Sequence, residues 1–280
     1  MRNIENRNLN RSLLKAISIL KSFSPEESGL GATEIARKNN ISLTTAHRIL
    51  LSLTKGEFLQ QDEKSAKYSI GPELYVLGNL YLSTANMLRV SEPVMKALND
   101  LTGEAVSLSI LDEKGYVTIV LREETKFPLR IGTHIGVSFP AYATARGKAL
   151  LSELNETEID RLFPYETLKP LTKKTISTKT KLKLELEQVS KTGIAMSGGE
   201  SIEGADGIAS VVREASGKAI GAIAISLPSI RMNRSKRNKY SELIKRGANF
   251  ICYQLGYQKA LPEVRSIDEI RSWGQKNMQK

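Results

Sequence analysis

Thr44, Thr45, His47 and Arg48 lie within a single stretch of five residues, and each can donate a hydrogen bond to a phosphate oxygen or a base edge. Leu43, Ala46, Ile49, Leu50 and Leu53 are apolar at helical spacing, so the donors occupy the opposite side of one helix. Ser42 is placed to cap it. A shorter helix ahead of it carries Ile35 and Ala36 on its apolar face. Asn39-Asn40 tolerate the left-handed backbone of a tight turn, and Ile41 anchors that turn. Residues 33–50 thus read as a helix-turn-helix built to contact DNA. The alternative is an ordinary helical hairpin with a solvated polar face.

Two further stretches could bind a small molecule. Pro140-Ala141-Tyr142-Ala143-Thr144-Ala145-Arg146-Gly147-Lys148-Ala149 is a run of small residues entering a helix. Free N–H groups at a helix start favour a carboxylate or phosphate, and small residues let a ligand approach the backbone. Close helix–sheet packing needs small residues equally. The glycine-rich, acidic stretch from Ser197 to Gly207 suits a pocket rim or lid. It has no phosphate-loop signature, and its glycine spacing does not fit a dinucleotide fingerprint.

Catalytic constellations are poor. The two histidines, His47 and His134, fall in different parts of the chain, and Cys252 is the sole cysteine. No His/Cys metal site of ordinary spacing can be assembled, and no serine elbow exists for His134 to serve. His134, in a Gly-Thr-His-Ile-Gly turn, reads as a surface residue, and Cys252 as a buried structural thiol. The expectation is no enzyme, no metal and no cofactor.

The elements around these residues can be placed by pattern. Ser12 to Leu20 reads as a serine-capped supporting helix. After Gly56, Phe58-Leu59 and Tyr68-Ser69-Ile70 flank a polar turn at Asp62 to Ser65, a hairpin wing on which Lys64 and Lys67 lie where phosphates pass. Residues 72–88 suit a linking helix whose apolar side is expected to meet a second subunit. A helix over Val90–Leu101 ends at Gly103. Strands are expected at 105–111 and 116–121 around a turn at 112–115, and further strands at 129–131, 194–196, 207–213 and 219–226. Helices are expected at 144–154, 156–162, 179–191 and 236–255. Mixed strands and helices in this order imply an α+β domain.

The chain has 280 residues, 40% hydrophobic and 25% charged, the composition of an ordinary globular protein long enough for two domains. Its polar N-terminus lacks the apolar core of a secretion signal, and no apolar run reaches membrane-spanning length, so a cytoplasmic location without membrane contact is expected. The net charge of +11 points to a polyanionic partner. Most of the excess lies after residue 228, where 12 Lys/Arg face 4 Asp/Glu. Its densest run, Arg231, Arg234, Lys236, Arg237 and Lys239, fits either a solvated helix start or long-range attraction to DNA.

LTTAHRILLSL with its wing, PAYATARGKALL, and DGIASVVREASGKAIGAIAISLP, in that order, resemble the IclR family of transcription regulators from about Leu13 to Gly256. The resemblance implies a winged helix-turn-helix over 1–71, a linker helix over 72–87, a GAF-like effector-binding domain over 88–257 and a basic tail over 258–280. It also implies a homodimer or dimer of dimers on a palindromic double-stranded operator. DNA would be contacted by Thr33, Ser42, Thr44, Thr45, His47, Arg48 and Lys67.

In the family, ligand carboxylates meet backbone N–H groups at the small-residue helix, here at Ala145 and Arg146. Members that bind keto acids add an acidic side chain, a cysteine and two serines, and Ser197, Gly207, Ala224 and Ser226 stand at those positions. With Phe139 these form the expected effector site. Only the last serine is kept, which suggests a different, larger effector, and Arg146 and Gly207 keep an anionic ligand open. Tyr142 replaces a common histidine and would alter the pocket edge or its support. A constitutive DNA-binding protein with a ligand-free dimerisation domain, or an enzyme acting on a small acid, are the alternatives.

Overall fold

The computed structural model describes residues 9–24, 27–84, 86–257 and 266–278, and the chain divides into two compact units, Met1–Thr84 and Ala85–Lys280. In the first unit, helices α1 (Arg11–Leu20), α2 (Ala32–Lys38) and α3 (Leu43–Lys55) precede a hairpin of β1 (Leu59–Gln61) and β2 (Tyr68–Ile70), and α4 (Pro72–Thr84) follows. Three helices and a wing are as the pattern predicts. Their core is Ile19, Ile35, Ala36, Ala46 and Leu50, closed by Leu59 and Tyr68 from the wing. Leu30 adds a bridge to the hairpin, exchanging both backbone hydrogen bonds with Tyr68.

The caps differ in detail from the sequence reading. Asn10, not Ser12, caps α1, its side chain accepting from the N–H groups of Ser12 and Leu13. Only Asn40 of the Asn39-Asn40 pair is left-handed, at φ 50°. Gly56 ends α3, as the pattern predicts, and Glu57 after it is left-handed, at φ 60°. Gly71 is instead required by space, since a Cβ there would stand 2.1 Å from the Glu57 carbonyl oxygen.

The second unit opens with α5 (Asn86–Thr102) and contains a six-stranded antiparallel sheet of β3 (Ala105–Leu111), β4 (Tyr116–Glu123), β5 (Ser138–Pro140), β6 (Ala195–Gly198), β7 (Ala205–Arg213) and β8 (Ala219–Pro228), in the order β5-β4-β3-β8-β7-β6. Helices α6 (Ala145–Leu151), α7 (Glu156–Leu162) and α8 (Lys179–Thr192) cover one face. Helices α5, α9 (Arg234–Gln254) and α10 (Ile267–Met278) cover the other. The helix-covered curled sheet is the expected α+β, GAF-like arrangement.

Strand alternation sorts residue size between the faces. Ile208, Val212, Ile223, Ile225 and Leu227 pack toward α9, whereas Ala209, Ala222 and Ala224 face α6. The small face lets α6 lie close to the sheet. Gly147 lets α6 fold tightly against the turn that precedes it, because a Cβ there would meet the Ala141 carbonyl oxygen at 2.1 Å.

Two expectations are corrected. Leu129–Ile131 is not a strand; the Leu129 carbonyl accepts from the Arg231 guanidinium at 2.9 Å, and β5 takes the sheet edge beside β4. The segment after 257 is not merely a basic tail, because α10 packs on the domain with Ile270 fully buried, Gly274 against Leu101 and Trp273 under the Arg246 guanidinium. The rest of that assignment, 258–265 and 279–280, lies outside the described residues.

Arg231, the first cation of the basic run, forms a bidentate pair with the fully buried Glu104 at 2.7 and 2.6 Å. Losing one partner leaves a buried charge unopposed, typically costing about 3–5 kcal/mol. Arg231→Ala is expected to lose stability on that scale in a denaturant titration. A change below about 1 kcal/mol would show that Glu104 finds another partner.

Candidate DNA interface and ligand cavity

In the first unit, Ser42 caps α3 by accepting from the Thr45 N–H at 3.3 Å, and its hydroxyl meets Thr45 Oγ1 at 2.8 Å. Ala46 and Leu50 turn into the core, leaving Thr44, His47 and Arg48 exposed and Thr45 half-buried on the opposite side. Leu43, expected on the apolar face, is 44% exposed at the helix start. Thr33 is exposed on α2 and Lys67 on the wing, immediately before β2. Lys67 and the α2 cations Arg37 and Lys38 help hold the Glu34 carboxyl below its usual range, after the larger effect of the Gly31 N–H that it accepts. All seven residues expected at DNA thus fall within this one unit, and six of them carry exposed side chains.

In the second unit, Phe139, Ala145, Arg146, Ser197, Gly207, Ala224 and Ser226 line one cavity of about 20 Å³, enough for a water molecule. Strand pairing explains how residues so distant in sequence meet. Ser197, Gly207 and Ser226 are lateral neighbours across β6, β7 and β8. The next row on this face runs Ala209, Ala224, Ser107 and Arg122 across β7, β8, β3 and β4. The sequence reading missed Thr133 and Ile131 on the wall. They belong to an irregular segment between β4 and β5, where no periodic pattern marks them.

Arg146 dominates this cavity. Its side chain descends from α6 over Ala224, and Nη1 donates to Ser107 Oγ at 3.2 Å. It is buried, and no carboxylate among the described residues pairs with it. Burial, reinforced by the nearby Arg122, pushes its pKa down to about 10. The space at Gly207 is closed by Ser197 Oγ and Ala145 Cβ, which would stand 3.0 and 3.3 Å from a Cβ there, so a glycine at that position does not enlarge the cavity. Arg122 lies beside Arg146, donating to Thr133 Oγ1 at 2.7 Å and to Glu124 at 2.8 Å.

The wall from Ser197 to Ala205 is tied down from several sides. Lys148 of α6 is fully buried and pairs with Glu185 of α8 and with Glu200, at 2.9 and 3.0 Å to the two Glu200 oxygens. Burial raises the Glu200 pKa while Lys148 opposes the rise. Thr175 donates to the Glu200 carbonyl at 2.6 Å and Thr172 to that of Gly199 at 2.7 Å. Tyr142 lies outside the cavity lining. Its hydroxyl donates to the Lys169 carbonyl at 2.8 Å and its ring meets Phe163 edge-on at 5.5 Å, so it supports the wall.

The His134 ring hydrogen-bonds the neighbouring Ile135 carbonyl, no cluster of three potential metal ligands occurs among the described residues, and burial raises the Cys252 thiol pKa. No described helix is long and apolar enough to cross a membrane.

Residues 12–63 match the family model for the IclR helix-turn-helix domain, and residues 79–253 match the bacterial transcriptional regulator IclR C-terminal model. The chain belongs to the IclR family. It is similar to the HTH-type transcriptional regulator KdgR of Escherichia coli, 30% identical over 246 residues that cover 88% of this chain and 93% of the relative. Among solved structures, the Thermotoga maritima IclR aligns at TM-score 0.71 and 26% identity, covering 88% of this chain and 99% of the other. An IclR homolog of Microbacterium hydrocarbonoxydans, complexed with 4-hydroxybenzoate, aligns at TM-score 0.78 and 20% identity, covering 87% and 98%. As an IclR-family member, the chain is a transcriptional regulator whose DNA-binding module is the N-terminal helix-turn-helix.

Proposed function

We propose that this IclR-family regulator is controlled by an organic acid held in the cavity beneath α6, through Phe139, Ala145, Arg146, Ser197, Gly207, Ala224 and Ser226. The carrying observation is Arg146, a buried guanidinium on the wall of a cavity, without a carboxylate partner among the described residues. An unopposed buried charge is costly, and a ligand carboxylate offsets that cost with a charge-assisted, bidentate pair. Ile131 and Ile202 add apolar wall to the cavity from segments outside the helices and strands. The carboxylate in the Microbacterium relative belongs to that protein, and it makes aromatic acids a sensible first probe.

The output is a change in DNA affinity through Thr33, Ser42, Thr44, Thr45, His47, Arg48 and Lys67. Two copies would read a palindromic operator, with half-sites one helical turn or a multiple of it apart. Exposed Leu13, Leu14 and Ile17 on α1 and Val76 and Leu77 on α4 support a paired, dimeric form, since exposed apolar patches mark interaction surfaces. The reading is of a cytoplasmic regulator without catalytic activity. Ligand shifts the population of dimer geometries and hence the spacing of the two α3 helices.

A thermal-shift screen of the full chain against aromatic, sugar-derived and short aliphatic acids, each paired with its neutral amide, tests the reading. At least one acid is expected to raise Tm, with a stabilisation of about 2.7 kcal/mol at a hundredfold excess over Kd, while its amide has no effect. Acids and amides that behave alike throughout would overturn the organic-acid reading.

A further inference from the structure

We infer that Thr133 is a further recognition residue of this cavity, donating its hydroxyl proton to the effector's carboxylate. Arg122 is the positioning residue that fixes the direction of that proton. The inference rests on the acid-binding reading of Arg146. Thr133 is buried on the cavity wall, in the irregular segment between β4 and β5. Its Oγ1 accepts from Arg122 Nη1 at 2.7 Å. A guanidinium can only donate, so the Thr133 oxygen is held as an acceptor on that side and its one proton must turn elsewhere. No acceptor for that proton occurs among the described residues.

Strand pairing explains why the two arginines play different parts. Arg122 of β4 and Ser107 of β3 are lateral neighbours, and Ser107 Oγ accepts from Arg146 Nη1 at 3.2 Å. The Arg122 side chain is only 2% exposed, and its Nε is tied to the exposed Glu124 carboxylate at 2.8 Å. With its charge opposed there, Arg122 reaches the cavity through Thr133 rather than as a second free cation. Arg146, by contrast, has no carboxylate partner among the described residues, and its Nε and Nη2 make no hydrogen bond among them. Each guanidinium is thus seated on a hydroxyl, and of those two hydroxyls Thr133 lines the cavity.

The wall therefore meets an incoming acid group with donors, the N–H groups of Arg146 and the O–H of Thr133. An ionised carboxylate carries only acceptors and satisfies them, whereas an amide sets its own N–H against one of them. A buried donor left unpaired is costly, which makes such a site selective against the wrong partner. Arg146 supplies the charge, and Thr133 adds a directed, charge-assisted bond.

Calorimetric titration of the full chain with formate, butyrate and benzoate tests this, with the thermal midpoint of each variant as the folding control. At least one of the three is expected to bind the wild-type protein. Thr133→Val keeps the side-chain shape without the hydroxyl, and is expected to weaken that acid about ten- to a hundredfold, the range of a hydrogen bond to a charged group. Thr133→Ser keeps the hydroxyl and is expected to restore most of that loss. Arg122→Met is expected to weaken binding by itself but to add almost nothing to Thr133→Val, because a residue that acts through another has no effect once that other is gone. If Thr133→Val binds like wild type, or if Thr133→Ser is as weak as Thr133→Val, the role of Thr133 falls and the acid reading stands. If the Arg122 and Thr133 losses add, Arg122 is not the positioning residue. If none of the three acids binds the wild-type protein, the acid reading falls together with the role of Thr133.

Discussion

Arg146→Met is expected to make the ligand-free protein more stable and, at the same time, blind to acids. Burial and the neighbouring Arg122 lower the guanidinium pKa from its ordinary value to about 10, a displacement worth about 3 kcal/mol of cost for keeping the charge inside. Methionine removes that cost and fills comparable space, against about 1 kcal/mol for the hydrogen bond that Ser107 loses. A net gain of about 2 kcal/mol in denaturant unfolding is the expected result. From about pH 10 up to the ordinary arginine pKa the unfolded chain binds more protons than the folded one, so wild-type stability relative to the variant rises with pH through that window. The penalty is fully present at neutral pH. A variant that is destabilised, and that still responds to acids in the thermal screen, would show that Arg146 is a structural strut rather than the ligand's counter-charge.

The second large effect is expected on DNA. Arg48 is exposed on α3, its carbonyl accepts from Ser52 Oγ at 3.0 Å, and its guanidinium makes no hydrogen bond or ion pair among the described residues. Arg48→Ala therefore leaves the core of Ala46 and Leu50 untouched. A bidentate base contact is worth about 1–3 kcal/mol, and a symmetric dimer loses it twice, which predicts an affinity loss from roughly 30-fold to more than 10⁴-fold. Gel retardation of a duplex selected by the wild-type protein from a random pool measures this, with the thermal midpoint as a folding control. Unchanged retention by a folded variant would remove Arg48 from the interface. Lys67→Ala offers a contrast in kind. As a phosphate contact it is expected to weaken all sequences alike and to reduce the salt slope by about 1 per copy.

The parts legible in the sequence were those set by neighbours along the chain. The period of Leu43, Ala46, Ile49, Leu50 and Leu53 placed α3, and Ser42 placed its start, because helix periodicity and capping involve residues within a turn of one another. Even there, short-range competition moved details. Asn10 outranks Ser12 as a cap because it sits one residue outside α1, where its side chain reaches two free N–H groups. Leu129–Ile131 has strand-like composition, but Arg231, about a hundred residues away, claims its carbonyl.

The cavity marks the other limit. Its two sequence segments, the small-residue run entering α6 and the glycine-rich stretch after β6, stood out by composition. That they face each other is the work of the sheet, in which β3 pairs with β8 across more than a hundred residues and β8 pairs in turn with β7. Thr133 joins the wall with no local signal.

By itself, the sequence determined the class of the protein. A helix with donors on one side, a wing behind it and strands of alternating residue size are local patterns, and local patterns are printed in the order of residues. The tertiary structure alone decided which charges are opposed and which are not. Lys148 and Arg146 stand two residues apart on one helix, yet the first meets Glu185 and Glu200 and the second meets no carboxylate among the described residues. Burial and charge pairing depend on what the rest of the chain brings alongside, and so the difference between a strut and a binding site appears only in three dimensions.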